Sequence, residues 1–481
     1  MRLDHLFPAI DARYAASEIA GLSADSRTIK PGFMFFALPG VQHNGMQFID
    51  AAIKAGAVAI VHEGEALLSL DPTIADIPVK DARHTLAMAA ARFFERQPQT
   101  IVAVTGTAGK TSVADFTRQI FDYCGRNAAS LGTIGVVRAN AISYGALTTP
   151  DPIQLHQTLA TLADDGITHL AMEASSHGLD QHRLDGVRLK AAAFTNLGHD
   201  HLDYHATMEA YLAAKLRLFD TLLPEDGVAV VNSDAPEGAA VIEAATSRGI
   251  HCLSVGMRGR DLTLLSTKQI EFNQHLTVEW QGKRFEIALP LAGAFQASNA
   301  LVAAGLALAV GENVEKVFEA LQHVRGVKGR LERVAQVKGA LILVDYAHKP
   351  EALEQALLAL KPFVSGKLIC IFGCGGDRDR AKRPIMGEIA RRLADEIIVT
   401  DDNPRSEDPA LIRQSILAAC PGARDIGDRF AAIKVGIEML SAGDVLLIAG
   451  KGHETGQIIK GVTLPFSDHE AVHAILAGAL P

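Results

Sequence analysis

The segment Ile101–Ser112, IVAVTGTAGKTS, joins an apolar, β-branched run to a glycine loop that ends in a lysine and a hydroxyl residue. Gly106 and Gly109 let the backbone turn tightly enough to aim several N–H groups at one anion, at the positive end of the helix that follows. The run reads as a phosphate-binding turn, in which Lys110 neutralises the β- and γ-phosphates of a nucleotide and the Thr111 hydroxyl holds Mg2+. The general P-loop pattern has another glycine six residues before the lysine, where this chain has Val104, so the match is to a shorter form, T-G-T-x-G-K-T. The preceding strand and the amphipathic segment Val113–Tyr123 separate it from a chance Gly-Lys-Thr turn in a chain with 42 glycines.

Working outward from the loop, apolar runs at Leu170–Glu173, Ala191–Thr195 and Val228–Asn232 alternate with helical segments, the sign of a parallel sheet flanked by helices. Ahead of the loop, Met34–Leu38 and Ala57–Val61 read as strands around a helical Phe48–Ala55, and Pro72 and Pro78 mark the approach to a new unit. Leu262–Leu289 has period-two patterning around Leu276–Trp280 and Phe285–Ile287, which predicts a small antiparallel sheet on the central domain. An alanine-rich helix, Ala297–Ala309, leads to a linker at Val327–Gly329. Beyond it, ALILVDYA (Ala340–Ala347), KLICIFGCGG (Lys367–Gly376), EIIVTDDN (Glu396–Asn403) and DVLLIAG (Asp444–Gly450) are apolar strands that end in glycine or polar residues. Ligands bind at such strand ends in open α/β sheets. The prediction is an α/β chain of three domains, spanning 1–88, 89–327 and 328–481.

Composition narrows the function. The chain has 481 residues, 48% hydrophobic and 21% charged, with a formal net charge of −9, and carries no basic run, which excludes a nucleic-acid backbone as main partner. Five scattered cysteines suggest neither a disulfide framework nor a paired metal site, and they read as buried thiols in a reducing compartment. The N-terminal stretch lacks the apolar core of a signal peptide, and no apolar run approaches the ~20 residues of a membrane span. The expectation is a cytoplasmic protein.

Two clusters downstream of the loop carry chemistry. Glu173, in MEASSH, stands at the carboxyl end of a strand, where a carboxylate commonly reaches nucleotide-bound Mg2+. The segment Asn196–His205, NLGHDHLDYH, holds three histidines and two aspartates, without the spacing of a zinc helix, and suggests one functional histidine near a metal or phosphate. Lys215 lies in YLAAKLRLF among Tyr211, Leu212, Leu216 and Phe219, and by pattern alone reads as a solvated helix lysine.

Taken in order, TGTAGKTS, TTPD, EASSHGLDQHR, TNLGHDHLDYH, YLAAKLRLF, GAFQASN, GRLERV, DYAHKP, CGGDRDRAKRP and DNPRSEDP resemble the motifs of the Mur ligase family of ATP-dependent amide-forming enzymes. The resemblance covers nearly the whole chain. It implies an N-terminal α/β domain for a uridine nucleotide, a central P-loop ATPase domain with a parallel sheet, and a C-terminal Rossmann-like domain. It further implies that a D-glutamyl carboxylate of UDP-N-acetylmuramoyl-L-alanyl-D-glutamate is activated by ATP as an acyl phosphate and then attacked by the amine of meso-2,6-diaminopimelate, in peptidoglycan precursor synthesis. Addition of L-lysine instead is the alternative within that chemistry. A folylpolyglutamate-synthase-like ligase is disfavoured by the domain ahead of the phosphate loop, and a nucleotide switch or motor by the lack of a partner-binding helix or basic surface.

Matched residue by residue, the resemblance implies an ATP site of Gly106, Thr107, Ala108, Gly109, Lys110, Thr111 and Ser112, with Asn299 near the adenine and Arg330, Asp345 and His348 from the C-terminal domain. Ala108 replaces the Asn of many relatives, and FQASN lacks the histidine that the wider family places there. Catalysis falls to Lys110, Glu173, His201 and Lys215, with Thr111, Glu173, His201 and Lys215 as metal ligands. The matching lysine of the family is carbamylated, which overturns the solvated reading of Lys215. Ser26, Thr148, Thr149, Ser175, Gln181 and Arg183 match contacts to the uridine-linked substrate, and Val41-Gln42-His43 falls where that nucleotide should lie. Arg378, Asp402, Asn403, Pro404, Arg405, Gly450 and Glu454 match the diaminopimelate site. Arg405 offers a fork for the far carboxylate that distinguishes diaminopimelate from lysine, and Glu454 an acceptor for the adjoining ammonium. The implied partners are ATP, Mg2+ and small-molecule substrates, and the implied state is a monomer.

Overall fold

The computed structural model describes the chain apart from residues 41–43, 68–69, 140, 144, 146, 199, 202–203, 271–272 and 479–481. Its internal contacts divide it into two units, Met1–Leu262 with Val302–Val317, and Thr263–Leu301 with Phe318–Pro481.

The first unit begins with a parallel sheet of β1 (Gly21–Ser23), β2 (Phe33–Ala37), β3 (Ala57–Glu63) and β4 (Ala75–Val79), in that order. Side chains alternate across it as strand geometry requires. Met34 and Phe36 join one apolar cluster with Leu86 and Ala90 of the helix Ala82–Phe94, while Phe35 and Ala37 join another with Ile49 and Ala52. Asp81 caps that helix by accepting from the His84 N–H. The expected helix at Phe48–Ala55 is a 3-10 turn, Gly45–Phe48, that runs into the helix Ile49–Lys54.

The larger sheet of this unit holds β5 (Thr100–Thr105), β6 (Ala128–Gly132), β7 (Gly135–Arg138), β8 (Ala141–Ser143), β9 (His169–Glu173), β10 (Leu189–Phe194), β11 (Val228–Asn232) and β12 (His251–Gly256). Across the sheet the order is β12-β11-β10-β5-β9-β6-β7-β8, parallel from β12 to β6 and antiparallel from there. Ile101 to Val104 are at most 1% exposed, because both faces of β5 are covered, and this is why the run reads as unbroken apolar sequence. With β10 on one side and β9 on the other, β5 ends where the carboxyl ends of three strands meet. That edge receives the phosphate loop, Glu173 and Asn196 together, at the crevice where open α/β sheets bind ligands.

In the second unit, β13 (Leu262–Ile270), β14 (Asn273–Trp280) and β15 (Lys283–Leu289) supply the expected antiparallel passage, with β14 and β15 paired from Gln274↔Leu289 to Trp280↔Lys283. From Thr263 on, this passage belongs by its contacts with the second unit. The main sheet has β16 (Glu332–Val337), β17 (Ala340–Asp345), β18 (Leu368–Phe372), β19 (Glu396–Val399), β20 (Arg424–Asp425) and β21 (Val445–Ala449), in the order β16-β17-β21-β18-β19-β20. Only the β16 edge is antiparallel. Apolar clusters cover both faces, and Arg429 forms a wholly buried ion pair with Asp468 at 2.7 Å. The polar ends of β17, β18, β19 and β21 therefore share one edge of a rigid sheet. A hairpin of β22 (Gly456–Ile459) and β23 (Val462–Pro465) follows.

Cys370, Cys374 and Cys420 are buried as expected, whereas Cys124 and Cys252 are only half-buried; all five thiols are free. No described helix is long and apolar enough to cross a membrane.

Candidate active site

The phosphate loop is shaped by glycine where no other residue fits. Gly106 has φ +149°, and a Cβ there would stand 1.9 Å from Thr195 Oγ1; Gly109 is left-handed, with φ +86°, at the start of the helix Lys110–Tyr123. The neighbouring strand end fastens the loop. Thr107 and Ala108 donate their N–H groups to Asn196 O (2.9 Å) and Asn196 Oδ1 (3.0 Å), and Thr195 Oγ1 donates to Ala108 O at 2.7 Å. Ala108 thus serves through its backbone alone. Lys110 Nζ lies 2.8 Å from Gly106 O and 2.9 Å from Thr107 O.

Lys215 is brought to the same carbonyl. It is 1% exposed, donates to Gly106 O at 2.8 Å and sits 4.2 Å from the centre of the Tyr211 ring. Burial, with the charge of Lys110 adding to it, pushes its pKa down to about 6. The solvated reading from pattern is corrected: the helix Met208–Arg217 turns this residue inward, onto the loop, so its apolar neighbours surround it rather than oppose it.

Glu173, also 1% exposed, accepts from Thr133 N–H at 2.8 Å and from Thr133 Oγ1 at 3.3 Å. Gly132 makes room for it, since a Cβ there would meet Glu173 Oε1 at 2.1 Å. Thr111 and Glu173 line one recess. Thr148 reaches Thr133 (3.1 Å), Thr149 donates to Glu173 O (3.1 Å), and Ser175 donates to Thr149 Oγ1 (3.0 Å), so these residues gather at Glu173. His201 has φ +56° and carries its ring 4.8 Å from His177 and 6.1 Å from Tyr211. Of the same cluster, His199 and Asp203 lie outside the described residues, as do Val41, Gln42 and His43.

A cleft of about 620 Å³ opens between the N-terminal sheet and this edge, lined by Ser23, Asp25, Thr28, Arg83, Gln154, Gln181 and Arg183 among others. Arg183 is preset by donating to Thr149 O and Gln181 Oε1, both at 2.7 Å. Ser26 stands in the turn between the lining residues Asp25 and Thr28, whereas Thr148, Thr149 and Ser175 belong with Glu173 instead of with the cleft.

In the second unit, Asn299 is buried and donates to Gln296 Oε1 at 3.0 Å. Arg330 lies over the Tyr346 ring at 5.0 Å. Asp345 accepts from the Leu331 and Ala347 N–H groups at 2.6 and 2.7 Å, and His348 Nδ1 is 2.8 Å from Tyr346 O; burial raises the Asp345 pKa and lowers that of His348.

The turn after β19 folds Asp402, Asn403, Pro404 and Arg405 against the end of β21. Gly450, with φ +117°, lets the Asp402 carboxylate approach; a Cβ there would be 2.7 Å from Asp402 Oδ2, an atom that is buried without a hydrogen-bond partner among the described residues. Asn403 Nδ2 donates to Glu454 Oε2 at 3.0 Å. Arg405, at φ +52°, places Nη1 2.9 Å from Gly376 O, while its Nη2 and Nε have no hydrogen-bond partner among the described residues. Arg378 shares the same glycine corner, since a Cβ on Gly375 would be 2.7 Å from Arg405 Nη1 and 3.9 Å from Arg378 Cγ. Gly376 packs as closely on Pro404, whose carbonyl would be 2.0 Å from an added Cβ.

Sequence reasoning passed over Lys451. This fully buried cation donates to Glu454 Oε2 (2.8 Å) and Asn403 Oδ1 (3.2 Å) and so orients both. Its signal is a lysine directly after the glycine that ends an apolar strand. Gly132, Gly375 and Gly376 were passed over too, because nothing local marks a glycine needed for a distant side chain.

Three family models match in succession: Mur ligase family, catalytic domain, at residues 18–94; Mur ligase middle domain at 104–307; and Mur ligase, glutamate ligase domain, at 329–452. The chain is 56% identical over 473 residues to the UDP-N-acetylmuramoyl-L-alanyl-D-glutamate--2,6-diaminopimelate ligase of Bradyrhizobium diazoefficiens, covering 98% of this chain and 97% of that protein. A solved structure of a ligase of the same name superposes with a TM-score of 0.77 at 33% identity, over 99% of each chain. A MurF ligase from Thermotoga maritima, solved with ADP, shares the fold with a TM-score of 0.60 at 21% identity, covering 96% of this chain and 97% of that one. The phosphate loop with its two lysines, the strand-end carboxylate and the arginine-bearing turn stand in a chain matched from one end to the other by these models and relatives: it belongs to the Mur ligase family.

Proposed function

We propose that this chain joins meso-2,6-diaminopimelate to UDP-N-acetylmuramoyl-L-alanyl-D-glutamate with hydrolysis of ATP to ADP and phosphate. The observation that carries the choice of amino acid is the corner of Arg405 and Arg378, on a turn whose Asn403 is tied to Glu454. A guanidinium with Nη2 and Nε available grips a carboxylate in a fork, and Glu454, with Oε2 held by Lys451 and Asn403, keeps Oε1 for an ammonium. Diaminopimelate carries that ammonium–carboxylate pair at the end where lysine has an amine alone.

In the first unit, the loop 106–112 cradles the ATP phosphates and Lys110 offsets their charge. The cleft with Gln181 and Arg183 takes the uridine-linked substrate and presents its D-glutamyl carboxylate. That carboxylate attacks the γ-phosphate and releases ADP; the diaminopimelate amine then attacks the acyl carbon, loses its proton and expels phosphate. Asn299, Arg330, Asp345 and His348 match further ATP contacts of the family. ATP and a nucleotide-linked precursor as substrates place the reaction in the cytoplasm.

The residues fit Mg2+. Glu173 is a buried carboxylate with no cationic partner among the described residues, and the Thr111 hydroxyl lines its recess. Thr111, Glu173, His201 and Lys215 would hold the metal. Bound there, Mg2+ supplies positive charge that lets two anions approach. With a pKa of about 6, Lys215 is a mostly neutral amine at pH 7, ready to take up CO2 as a carbamate and so become an oxygen ligand.

The test is ADP release with the uridine nucleotide fixed and meso-diaminopimelate, L-lysine or ornithine offered in turn. Turnover with diaminopimelate far above the other two is expected. A lysine preference would remove the role given to Arg405, and ADP release that needs neither nucleotide nor amino acid would remove the ligase reading.

A further inference from the structure

Asp185 belongs to none of the sets above, yet it collects more donors than any of their carboxylates. Only 2% of its side chain is exposed; it accepts from Arg217 at both oxygens (3.0 and 2.9 Å), and its Oδ2 lies 2.6 Å from His84 Nδ1 and 3.0 Å from His182 Nδ1. Against the desolvation that raises its pKa, the bonds from His182, Arg217 and His84 hold the carboxyl far below its usual range. Asp81 adds a second acid, 3.5 Å from His182 Nε2.

Two histidines and an aspartate whose ligand atoms lie within 4.8 Å of one another have the chemistry of a metal site. Here the cation is already supplied by the protein. Arg217 Nη2 stands 2.9 Å from both His182 Nδ1 and Asp185 Oδ2, in the space a metal would need.

What sets this cluster apart is where its members point on their own segments. At the start of the helix Ala82–Phe94, Arg83 and Leu86 line the large cleft while His84 turns to Asp185 and Asp81 to His182. In the loop after the helix Ser176–Asp180, Gln181 and Arg183 line the cleft while His182, at φ +59°, and Asp185 turn away from it. On the helix Met208–Arg217, Lys215 faces the phosphate loop, while Arg217 faces Asp185 and also donates to Leu179 O at 2.8 Å. One carboxylate thus fastens both walls of the cleft and the helix that carries Lys215.

We propose that Asp185, through Arg217, His84 and His182, is a positioning residue that links occupancy of the cleft to the phosphate loop, so that each substrate's binding alters the affinity for the other. This rests on the reading of the cleft as the uridine-nucleotide site. Coupling needs an element whose arrangement both ligands bias, and this hub is contiguous with both.

The test is calorimetric titration of the full chain with UDP-N-acetylmuramoyl-L-alanyl-D-glutamate and with a non-hydrolysable ATP analogue, each alone and with the other saturating. Wild type should bind the analogue more tightly when the cleft is filled, by about tenfold. In Arg217→Gln and Asp185→Asn the factor should collapse towards one and the nucleotide Kd should rise, while the analogue's Kd measured alone stays put. Arg217→Lys should recover part of the factor. Should the buried variants fail to fold, His84→Phe, at a half-exposed position, severs one wall only and should weaken nucleotide binding while leaving the analogue's Kd alone unchanged. An unchanged factor in variants that bind both ligands overturns the proposal, as does an equal loss of affinity for both ligands in step with a lowered Tm. If wild type binds no nucleotide, the reading of the cleft itself fails, a different result from intact binding without coupling.

Discussion

Replacing Lys215 with methionine should make the protein more stable and inactive. Unfolded, the side chain has the ordinary lysine pKa of 10.5, and folded, it is near 6. At pH 7 the unfolded chain therefore holds a proton that the folded one has mostly given up, and the difference of about 3.5 units from pH 7 to the unfolded pKa amounts to ~5 kcal/mol favouring unfolding. Methionine fills the same space without that term but forgoes the bond to Gly106 O, worth ~1 kcal/mol, and Gly106 O keeps its bond from Lys110. Imperfect packing removes about another 1 kcal/mol, so a net gain of ~3 kcal/mol is expected. The pH dependence fixes the cause. Between about pH 6 and pH 10.5 the unfolded state binds more protons, so wild type gains stability as pH rises through that window and Lys215→Met does not. Urea titrations at several pH values, in metal-free buffer depleted of CO2, should show a gap that is widest near pH 6, closes near pH 9 and reverses above it. A variant less stable than wild type at pH 7, or a gap independent of pH, would refute the reasoning. On the catalytic side, Lys215→Ala should lose turnover and regain part of it with short carboxylic acids, which can stand in for the carbamate; full activity without them would return Lys215 to a bland role.

Arg405→Met should raise the KM for diaminopimelate about a hundredfold, the loss of a charge-assisted fork, and leave the KM for ATP unchanged in steady-state assays; parallel changes in both would point to misfolding. Glu173→Gln keeps the shape of the recess but removes its charge, so the Mg2+ concentration for half-maximal turnover should rise at least ~10-fold, and an unchanged metal titration would remove this carboxylate from the site. Gly106→Ala combines a strained φ of +149° with a collision at Thr195 Oγ1, and should abolish ADP binding measured by calorimetry while the N-terminal sheet still folds.

The legible parts of this chain are those whose cause is local. Phosphate loop, strands and strand ends follow from the order of glycine, β-branched and polar residues within a few positions, and β5, β9, β10 and β11 fall within two residues of where the apolar runs place them. The rest depends on contacts far apart in sequence. Lys215 meets Gly106 across 109 positions, and the donors to Asp185 come from segments up to 101 positions away. A period of 3.6 tells which face of a helix is apolar, not what polar group waits opposite a lysine in that face. Arg405 shows the same limit: its turn is readable, but the positive φ and the closeness of Gly375 that seat its Nη1 are not.

The buried charges separate by how they are satisfied. Arg429 and Asp468, or Asp185 and Arg217, meet an opposite charge inside the fold, and breaking either pair would strand a buried ion at a cost of about 3–5 kcal/mol. Glu173 and Lys215 are as deeply buried and, among the described residues, have no ion-pair partner; one takes amide and hydroxyl donors, the other gives up its proton. Selection for stability alone removes such groups, as the methionine variant is expected to show. Their persistence beside a loop built for phosphate makes sense if each is completed by a ligand: a metal for the carboxylate, and CO2 for the neutral amine, which turns it into a second anion for that metal. The same logic reaches the second unit, where Asp402 Oδ2 is buried at Gly450 without a hydrogen-bond partner among the described residues. That oxygen is placed to be completed by the amino acid's ammonium, and Asp402→Asn should weaken diaminopimelate binding without lowering the Tm.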